Sequence, residues 1–291
     1  MRLMGIAAAA AVVLATPTLA LAANAAADEL FSADRALGAA SANLEGLAGL
    51  AAAFAEEVAV PVPGKGLAHD RAGALAVLRA NPAIDKAHIT WAPVRVGISA
   101  DGSQGFTFGF MNQHEADGTI LPYKYLAYWQ RDAAGWKVIA WKRGKRAAGT
   151  VDDATLPPLL PGSFPKGGDK PRLDTAEQAF SDEAQTVGLG PAFARFGTAD
   201  SMNLGGSANA GFVFGAEAIA KLVSEGQPAG GSTLNWSADR VVVAPSGDLG
   251  VSIGHIRFNQ PAEDGSERAP IPFFTVWRRA AADQPWRYVA E

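Results

Sequence analysis

Histidine is the residue of this sequence best suited to moving protons or binding a metal near neutral pH. The chain contains four of them: His69, His88, His114 and His255. No two stand at a spacing that would place a pair of ligands on one face of a helix or strand, and the sequence has no cysteine. A zinc site needs three or four close ligands. We therefore predict no metal site.

Motifs for nucleophilic, metal-dependent or phosphate chemistry are also missing from the sequence. It contains no G-x-S-x-G, H-E-x-x-H or Walker loop. We predict no cofactor and assign no catalytic residue. The basic cluster at 142–146 is interpreted as a solvated domain edge. Net charge is −4 and no basic stripe is present, so nucleic acid is not an expected partner.

Two histidines lie on strand-like segments, in phase with other polar or aromatic residues. His114 is in phase with Phe108, and His255 is in phase with Arg257. If these phases face the interior of the fold, His255 and Arg257 would form a polar floor for an anionic ligand. If they face outward, both are ordinary surface groups.

Aromatic residues provide the other candidate contacts. Tyr125 shares a strand face with Trp129, which fits either core packing or contact with a ligand. Together, the candidate pocket residues are Trp91, Phe108, His114, Tyr125, Trp129, Trp236, His255, Arg257 and Phe273.

The order of these residues reveals an internal repeat. Trp91 is followed after 14 and 18 residues by two glycines, and Trp236 is followed by two glycines at the same intervals. Further ordered matches pair Phe31 with Phe180, 128–131 with 276–279, and Trp136 with Trp286. An ordered set of matches indicates a duplicated unit.

Each unit contains helix-like periods followed by strand-like runs. The helical segments are predicted at 30–44, 47–54 and 70–80, and again at 173–187, from 191, and at 216–225. The strands are predicted at 88–99, 105–115, 122–132 and 135–143, and at 233–244, 249–259, 270–279 and 285–290. This order predicts an α+β fold with helices on one face of each sheet. We place the domains at 28–143 and 173–291, joined by a linker at 144–172 with five prolines and five glycines.

The N-terminus resembles an export signal. Arg2 is the only charge before Asp28, an alanine-rich apolar run follows it, and small-x-small cleavage sites lie at 20–22 and 23–25. A membrane anchor is the alternative, but Pro17 interrupts the run, and a span needs ~20 strongly apolar residues. We predict a signal peptide at 1–25 and a periplasmic or secreted protein with no membrane segment after cleavage. With no cysteine, it has neither a lipid anchor nor disulfides.

The strand motifs carry a resemblance to a known family. They are Trp-x-Pro at 91–93, Gly-x-x-x-Gly at 105–109, Tyr-Trp-x-Arg at 128–131 and Gly-Trp-Lys-Val at 135–138. With the helices before them, they resemble the SnoaL-like and ketosteroid-isomerase-like branch of the nuclear-transport-factor-2-like superfamily, in two tandem copies. The resemblance implies cone-shaped domains. In each, three N-terminal helices pack on a curved antiparallel sheet and leave an apolar pocket at the wide end.

The isomerases of that family carry a carboxylate base just before a proline, after a Phe-Ala-acid-acid-Ala stretch. Aligning 54–58 with this stretch places Val62 at the base position, and the second copy places Leu204 there. Neither side chain carries a proton. The resemblance therefore argues against the isomerase reaction.

Three functions remain open. The preferred one is binding of a small apolar or amphipathic molecule in a cone pocket. The second is a SnoaL-like isomerase, cyclase or lyase with a differently placed base, for which Tyr125, His114 and His255 are candidates. The third is an interaction module, with an internal pseudo-dimer or a homo-oligomer formed through the open sheet faces. The first copy has Tyr123 and Tyr125 where the second has Ile271 and Phe273, so we expect any chemistry to be confined to one copy.

Overall fold

Two six-stranded sheets, each with helices on one face, form the described part of the protein. The structure is a computed structural model, and it describes residues 16–62, 64–80, 82–162, 172–227 and 230–291. Residues 1–15 of the predicted signal peptide therefore lie outside the described residues. The predicted two-domain α+β architecture is confirmed.

Over its described residues, the first domain contains three helices and six strands. Its elements are α1 (Thr16–Ser41), α2 (Ala48–Ala53), β1 (Phe54–Val62), β2 (Gly66–Ala68), α3 (Arg71–Leu78), a 3₁₀ turn (Pro82–Lys86), β3 (His88–Ile98), β4 (Gln104–His114), β5 (Ile120–Asp132) and β6 (Gly135–Lys145). The strand order is β2-β1-β6-β5-β4-β3. The sequence did not predict β1, which follows α2 directly. It pairs in parallel with β6, so the sheet is mixed rather than wholly antiparallel.

The second domain repeats this topology. Its elements are α4 (Leu173–Val187), α5 (Leu189–Phe196), β7 (Met202–Asn203), β8 (Val213–Phe214), α6 (Ala216–Ser224), β9 (Leu234–Val243), β10 (Leu249–Phe258), β11 (Ile271–Arg278) and β12 (Arg287–Ala290). The strand order is β8-β7-β12-β11-β10-β9, and β12 pairs in parallel with β7.

The repeated glycines are required by close contacts. A Cβ atom on Gly109 or Gly254 would lie 2.0 Å from the carbonyl oxygen of Ala92 or Ser237 respectively. The pairing register of the strands shifts next to both contacts. These glycines therefore allow neighbouring strands to approach at a bulge.

The first glycine of each repeated pair, Gly105 or Gly250, contacts the first helix of its domain, and these contacts show which helix positions are equivalent. A Cβ on Gly105 would lie 2.5 Å from Leu30, and a Cβ on Gly250 would lie 2.8 Å from Leu173. Leu30 and Leu173 are thus equivalent, 143 positions apart. The predicted match of Phe31 with Phe180 is wrong, because this offset pairs Phe180 with Leu37. The duplication itself stands.

The two domains contact each other through the sheet faces turned away from the helices. The shared apolar cluster includes Phe106, Phe108, Phe110, Leu126 and Tyr128 from the first domain, and Leu249, Val251, Ile253, Phe274 and Val276 from the second. Residues 94–96 of β3 also bind the linker, since the Leu156 and Leu159 amides donate to carbonyls of that strand at 2.7 and 2.8 Å. The chain therefore contains an internal pseudo-dimer.

Two turns link the domains in a reciprocal way. The Ser246 amide donates to Asp101 Oδ2 at 2.7 Å, and the Ala100 amide donates to both carboxylate oxygens of Asp248 at 3.1 Å. Each β-hairpin turn thus supplies a carboxylate acceptor to the other. Such mutual contacts are typical of a two-fold interface.

Helix α1 extends through both predicted cleavage sites. Ala23, Ala26 and Ala27 are buried against the first-domain core. Among the residues that the structure describes, no helix is both long enough and apolar enough to cross a bilayer.

Candidate functional site

A cavity of about 360 Å³ lies in the second domain, between its helices and the face of the sheet that they cover. Its apolar lining consists of Phe180, Leu189, Phe193, Leu204, Val223, Leu234, Trp236, Ile256, Phe273 and Phe274. Its polar lining consists of Lys142, Glu177, Asn203, Thr275 and Glu291. An apolar hollow with a few polar groups is the usual form of a small-molecule site.

The lining reaches from partly exposed side chains to fully buried ones. Leu189, Val223 and Ile256 retain intermediate exposure, whereas Phe180 is 2% exposed and Glu177 is 1% exposed. A ligand that enters past the exposed apolar groups would therefore reach a buried carboxyl group.

Glu177 is held by α4 against the sheet. Its carboxyl group accepts hydrogen bonds from Trp236 Nε1 at 2.6 Å, from Trp277 Nε1 at 2.9 Å and from Ser252 Oγ. Burial raises the pKa of Glu177, and these three hydrogen bonds oppose the rise only in part. The group is thus firmly positioned, because three donors converge on one carboxyl.

Lys142 reaches the cavity from the other domain, since it belongs to β6. Its Nζ donates to the Phe274 carbonyl at 2.9 Å and lies 4.7 Å from the centroid of the Phe274 ring. Burial lowers the pKa of Lys142 to about 8, and the nearby Glu291 charge opposes this shift. The site is therefore shared between the domains.

Glu291 supplies a second carboxyl group to the cavity. Its Oε1 accepts a hydrogen bond from Asn203 Nδ2 at 2.6 Å. Burial raises the pKa of Glu291 to about 7, while the Lys142 charge pulls it down. An amine and a carboxyl that both titrate near neutral pH thus line the same hollow.

Strand pairing explains why the second domain has this cavity. β6 pairs with β5 from Tyr123 to Asp132, but β12 pairs with β11 only from Val276 to Arg278. Ala140 pairs with Tyr128 and Ala290 pairs with Val276, each next to a register shift. These matching pairs make Trp141 and Glu291 equivalent. A tryptophan ring in one copy is therefore replaced by a shorter carboxylate in the other.

The corresponding hollow of the first domain is almost filled. It measures about 10 Å³, and the rings that fill it are those of Phe54, Trp91, Tyr125, Trp129 and Trp141. Asp34, the equivalent of Glu177, is buried there and accepts hydrogen bonds from Trp91 Nε1 at 2.7 Å and Tyr125 Oη at 2.6 Å. Burial raises its pKa as well. The hollow of the first domain is thus closed, and that of the second domain is open.

The predicted pocket residues separate into three groups. Trp236 and Phe273 line the large cavity, and Trp91, Tyr125 and Trp129 line the small hollow. The remaining four, which lie elsewhere, are Phe108, His114, His255 and Arg257. Phe108 packs in the contact between the sheets.

The polar members of the third group are His114, His255 and Arg257. They lie on the faces of their strands that point away from the helices and the cavity. His114 Nε2 lies 3.1 Å from Thr90 Oγ1. His255 Nδ1 contacts Asp239 Oδ2 at 2.6 Å, and its strand phase is that of Val251 in the contact between the sheets. The outward alternative therefore holds, and no polar floor forms from His255 and Arg257.

Sequence reasoning missed the buried acids and Lys142. Asp34 and Glu177 stand four residues after Leu30 and Leu173, on the buried side of α1 and α4. An acid in an apolar helical phase was the available signal. Interpreting Lys142 as part of a solvated edge was wrong, because the second domain covers it. At the usual isomerase base position, Leu204 lines the cavity and is 9% exposed.

Replacing Glu291 with glutamine should change how stability depends on pH. Burial raises the pKa of Glu291 from its ordinary value of 4.5 to about 7. Between these values the folded form keeps a proton that the unfolded form releases, so the free energy of unfolding falls as pH rises. Glutamine cannot ionise, and we expect the variant to gain about 1–3 kcal/mol relative to wild type by pH 7.

Urea denaturation from pH 4.5 to pH 8 measures this difference. Glu263→Gln is the matched control, because Glu263 is exposed. Parallel stability curves for wild type and Glu291→Gln would show that Glu291 ionises normally in the folded protein.

Comparison with known proteins gives structural matches but none from sequence. No protein-family model and no curated protein matches the sequence. An NTF2-like protein with a cystatin-like fold from Novosphingobium aromaticivorans is 17% identical, covers 48% of this chain and 94% of its own, and has a TM-score of 0.35. A ketosteroid isomerase-like protein from Erwinia carotovora is 14% identical, with coverage of 45% and 99% and a TM-score of 0.31.

A third match is the crystal structure of a type 2 hexachlorocyclohexane dehydrochlorinase. It is 14% identical, covers 49% of this chain and 98% of its own, and has a TM-score of 0.31. All three matches take up about half of this chain and nearly all of the matched protein. The chain resembles these proteins in fold, and the predicted tandem repeat is shown by its own two sheets, which have the same strand order.

Proposed function

We propose that the second-domain cavity binds a small, mostly apolar molecule that carries one neutral polar end. The observation that carries this proposal is the cavity itself, about 360 Å³ in volume and lined by ten apolar and five polar residues. Apolar walls favour a hydrocarbon body, because each Å² of apolar ligand surface buried there contributes about 25 cal/mol of favourable free energy.

The charges in the cavity favour a neutral polar end. Lys142 and Glu291 already offset each other's charge, so an added anionic head group would be repelled by Glu291 and an added cationic one by Lys142. Both repulsions are strong where the surroundings exclude water. A carbonyl or hydroxyl oxygen avoids them, and it can accept a hydrogen bond from Lys142 or Asn203.

A competition experiment with ligands of equal chain length tests this proposal. The probe is N-phenyl-1-naphthylamine, a neutral dye that fluoresces in apolar sites, and the competitors are 1-decanol, 2-decanone, decanoate and decylamine. We expect the two neutral compounds to displace the dye at least ~10-fold more effectively than the two charged ones. Equal displacement by all four would exclude selection of a neutral end.

A cavity-filling variant locates the binding. Glu291→Trp restores the residue type that closes the first domain, so we expect it to weaken dye binding by ~10-fold or more. Val187→Trp is the matched control, because Val187 is 39% exposed on α4. If the dye binds equally to both variants, the cavity is not its site.

A second candidate function is proton transfer within the same cavity. Glu291 supports it, because a carboxyl with a pKa of about 7 can accept and return a proton at neutral pH. The activity would be of isomerase or lyase type, with Glu291 taking the role for which Leu204 is unsuited. Turnover of an enolisable ketone that Glu291→Gln abolishes without loss of binding would support it, and unchanged turnover would refute it.

We further propose that the protein is exported with cleavage after Ala22 or Ala25. The charged start, the apolar run and the small-x-small sites support this proposal. Cleavage at either site retains Leu30 and Asp34 in the first-domain core. N-terminal sequencing of the protein from cell fractions tests it, and a cytoplasmic protein that keeps Arg2 would contradict it.

A further inference from the structure

Lys142 is the lysine that lines the second-domain cavity. Its side chain lies beside the Phe274 ring, and Thr275, Asn203 and Glu291 line the same hollow. The amine therefore lies in the cavity where the polar end of an apolar ligand would be placed, and it shares that cavity with a carboxyl group able to exchange protons.

We propose that Lys142 forms a reversible imine with apolar aldehydes that enter the cavity. This inference rests on the proposed function, since the aldehyde must first bind there. It adds a covalent step and a ligand class, namely long-chain or aromatic aldehydes.

The step balances without an oxidant or a reductant. The free amine attacks the aldehyde carbon, a C–N bond forms, and a proton moves from nitrogen to the new alkoxide oxygen. A second proton, which the Glu291 carboxyl can supply, allows the hydroxyl to leave as water as the C=N bond forms. The reverse sequence releases the aldehyde.

Two properties of Lys142 favour this reaction. Burial lowers its pKa to about 8, so about one amine in ten is unprotonated at pH 7, far more than for an ordinary lysine. Desolvation in an apolar pocket is a known way to activate a lysine nucleophile. A protonated imine also keeps one N–H, which can maintain the hydrogen bond to the Phe274 carbonyl.

Lys124 is an internal control for this proposal. Burial lowers its pKa to about 8 as well, but its Nζ donates to the carbonyls of Asn209 and Gly211 at 2.9 Å each. It does not line the second-domain cavity. If amine basicity alone decided the reaction, both lysines would react, whereas the cavity geometry favours Lys142.

Reductive trapping of the full chain tests the inference. The protein is incubated with decanal at pH 7.5 and reduced with cyanoborohydride, and modified lysines are mapped by peptide mass spectrometry. We expect decyl modification of Lys142 at least ~10-fold above that of Lys124 or the exposed Lys65. Excess 1-decanol should suppress it, and Lys142→Arg should abolish it.

The outcomes separate this inference from the proposed function. If 1-decanol displaces the dye but decanal modifies only exposed lysines, the imine is excluded and the binding function remains. If neither compound displaces the dye and Lys142 stays unmodified, both proposals fail. Retained modification at the cavity in Lys142→Arg would assign the chemistry to another group.

Discussion

Replacing Trp141 with alanine should lower the free energy of unfolding by about 3–5 kcal/mol, the range found when large aromatic side chains are removed from cores. Trp141 is 3% exposed, and its ring centroid lies 5.7 Å from that of Phe54. The ring also lines the 10 Å³ hollow of the first domain. Its loss leaves a void that the surrounding strands and helices can fill only in part.

The same substitution should open a second binding site. The new void would adjoin Asp34 and Tyr125, so the first domain would resemble the second, with a buried acid beside an apolar hollow. We expect the number of dye molecules bound per chain to rise from one to about two, as engineered apolar cavities accept apolar ligands.

Urea denaturation followed by far-ultraviolet circular dichroism and dye titration provide the two measurements. Phe214→Ala is the control, because Phe214 is 41% exposed and its truncation should cost little. A loss below about 1 kcal/mol for Trp141→Ala would mean that the domain collapses around the void. Unchanged dye stoichiometry would mean that the void does not accept the dye.

The repeat and most elements were predictable from the sequence because local chemistry specifies them. Each predicted strand from β3 to β6 begins and ends within two residues of the observed one. Turn glycines such as Gly102, Gly118 and Gly135 have positive φ values and mark the hairpins. β1 was missed because Glu56 and Glu57 are both exposed, which interrupts its alternation, and its pairing with β6 is nonlocal.

The sequence does not show which side chains of each strand point toward the helices and which point toward the other domain. From Gln104 to Met111 every residue of β4 is buried, because one face packs on α1 and the other on the second domain. A strand buried on both sides has no alternation of polar and apolar residues. This is why the prediction of Phe108 as a pocket residue is wrong and why the sequence does not determine the phase of His114.

The sequence also does not predict that Lys142 and Glu291 line the cavity, for a related reason. Lys142 belongs to a basic segment that reads as solvated, and only the docking of the second domain buries it near Glu291. The equivalence of Glu291 with Trp141 depends on a register shift between strands. Local periodicity carries no information on either feature, because both arise from contacts between distant segments.

Replacing Glu177 with leucine should destabilise the second domain by about 1–3 kcal/mol. The carboxyl group accepts hydrogen bonds from Trp236 Nε1, Trp277 Nε1 and Ser252 Oγ. Leucine offers no acceptor, so Trp236 Nε1 loses its partner, and a buried donor without a partner costs about 1–3 kcal/mol. Trp277 Nε1 can still donate to Ser252 Oγ at 3.0 Å. The apolar side chain removes the cost of burying an acid, but that gain offsets only part of the loss.

Glutamine at position 177 separates hydrogen bonding from charge. Its carbonyl oxygen still accepts from one indole, its amide group faces the other donors, and it carries no charge to desolvate. The loss should therefore be smaller than for leucine, in the order wild type, Glu177→Gln, Glu177→Leu. Asp34→Asn and Asp34→Leu should follow the same order, since Asp34 accepts from Trp91 and Tyr125. If urea denaturation finds Glu177→Leu as stable as wild type, the buried acid is not a structural acceptor, and its retention in the cavity would point to the ligand instead.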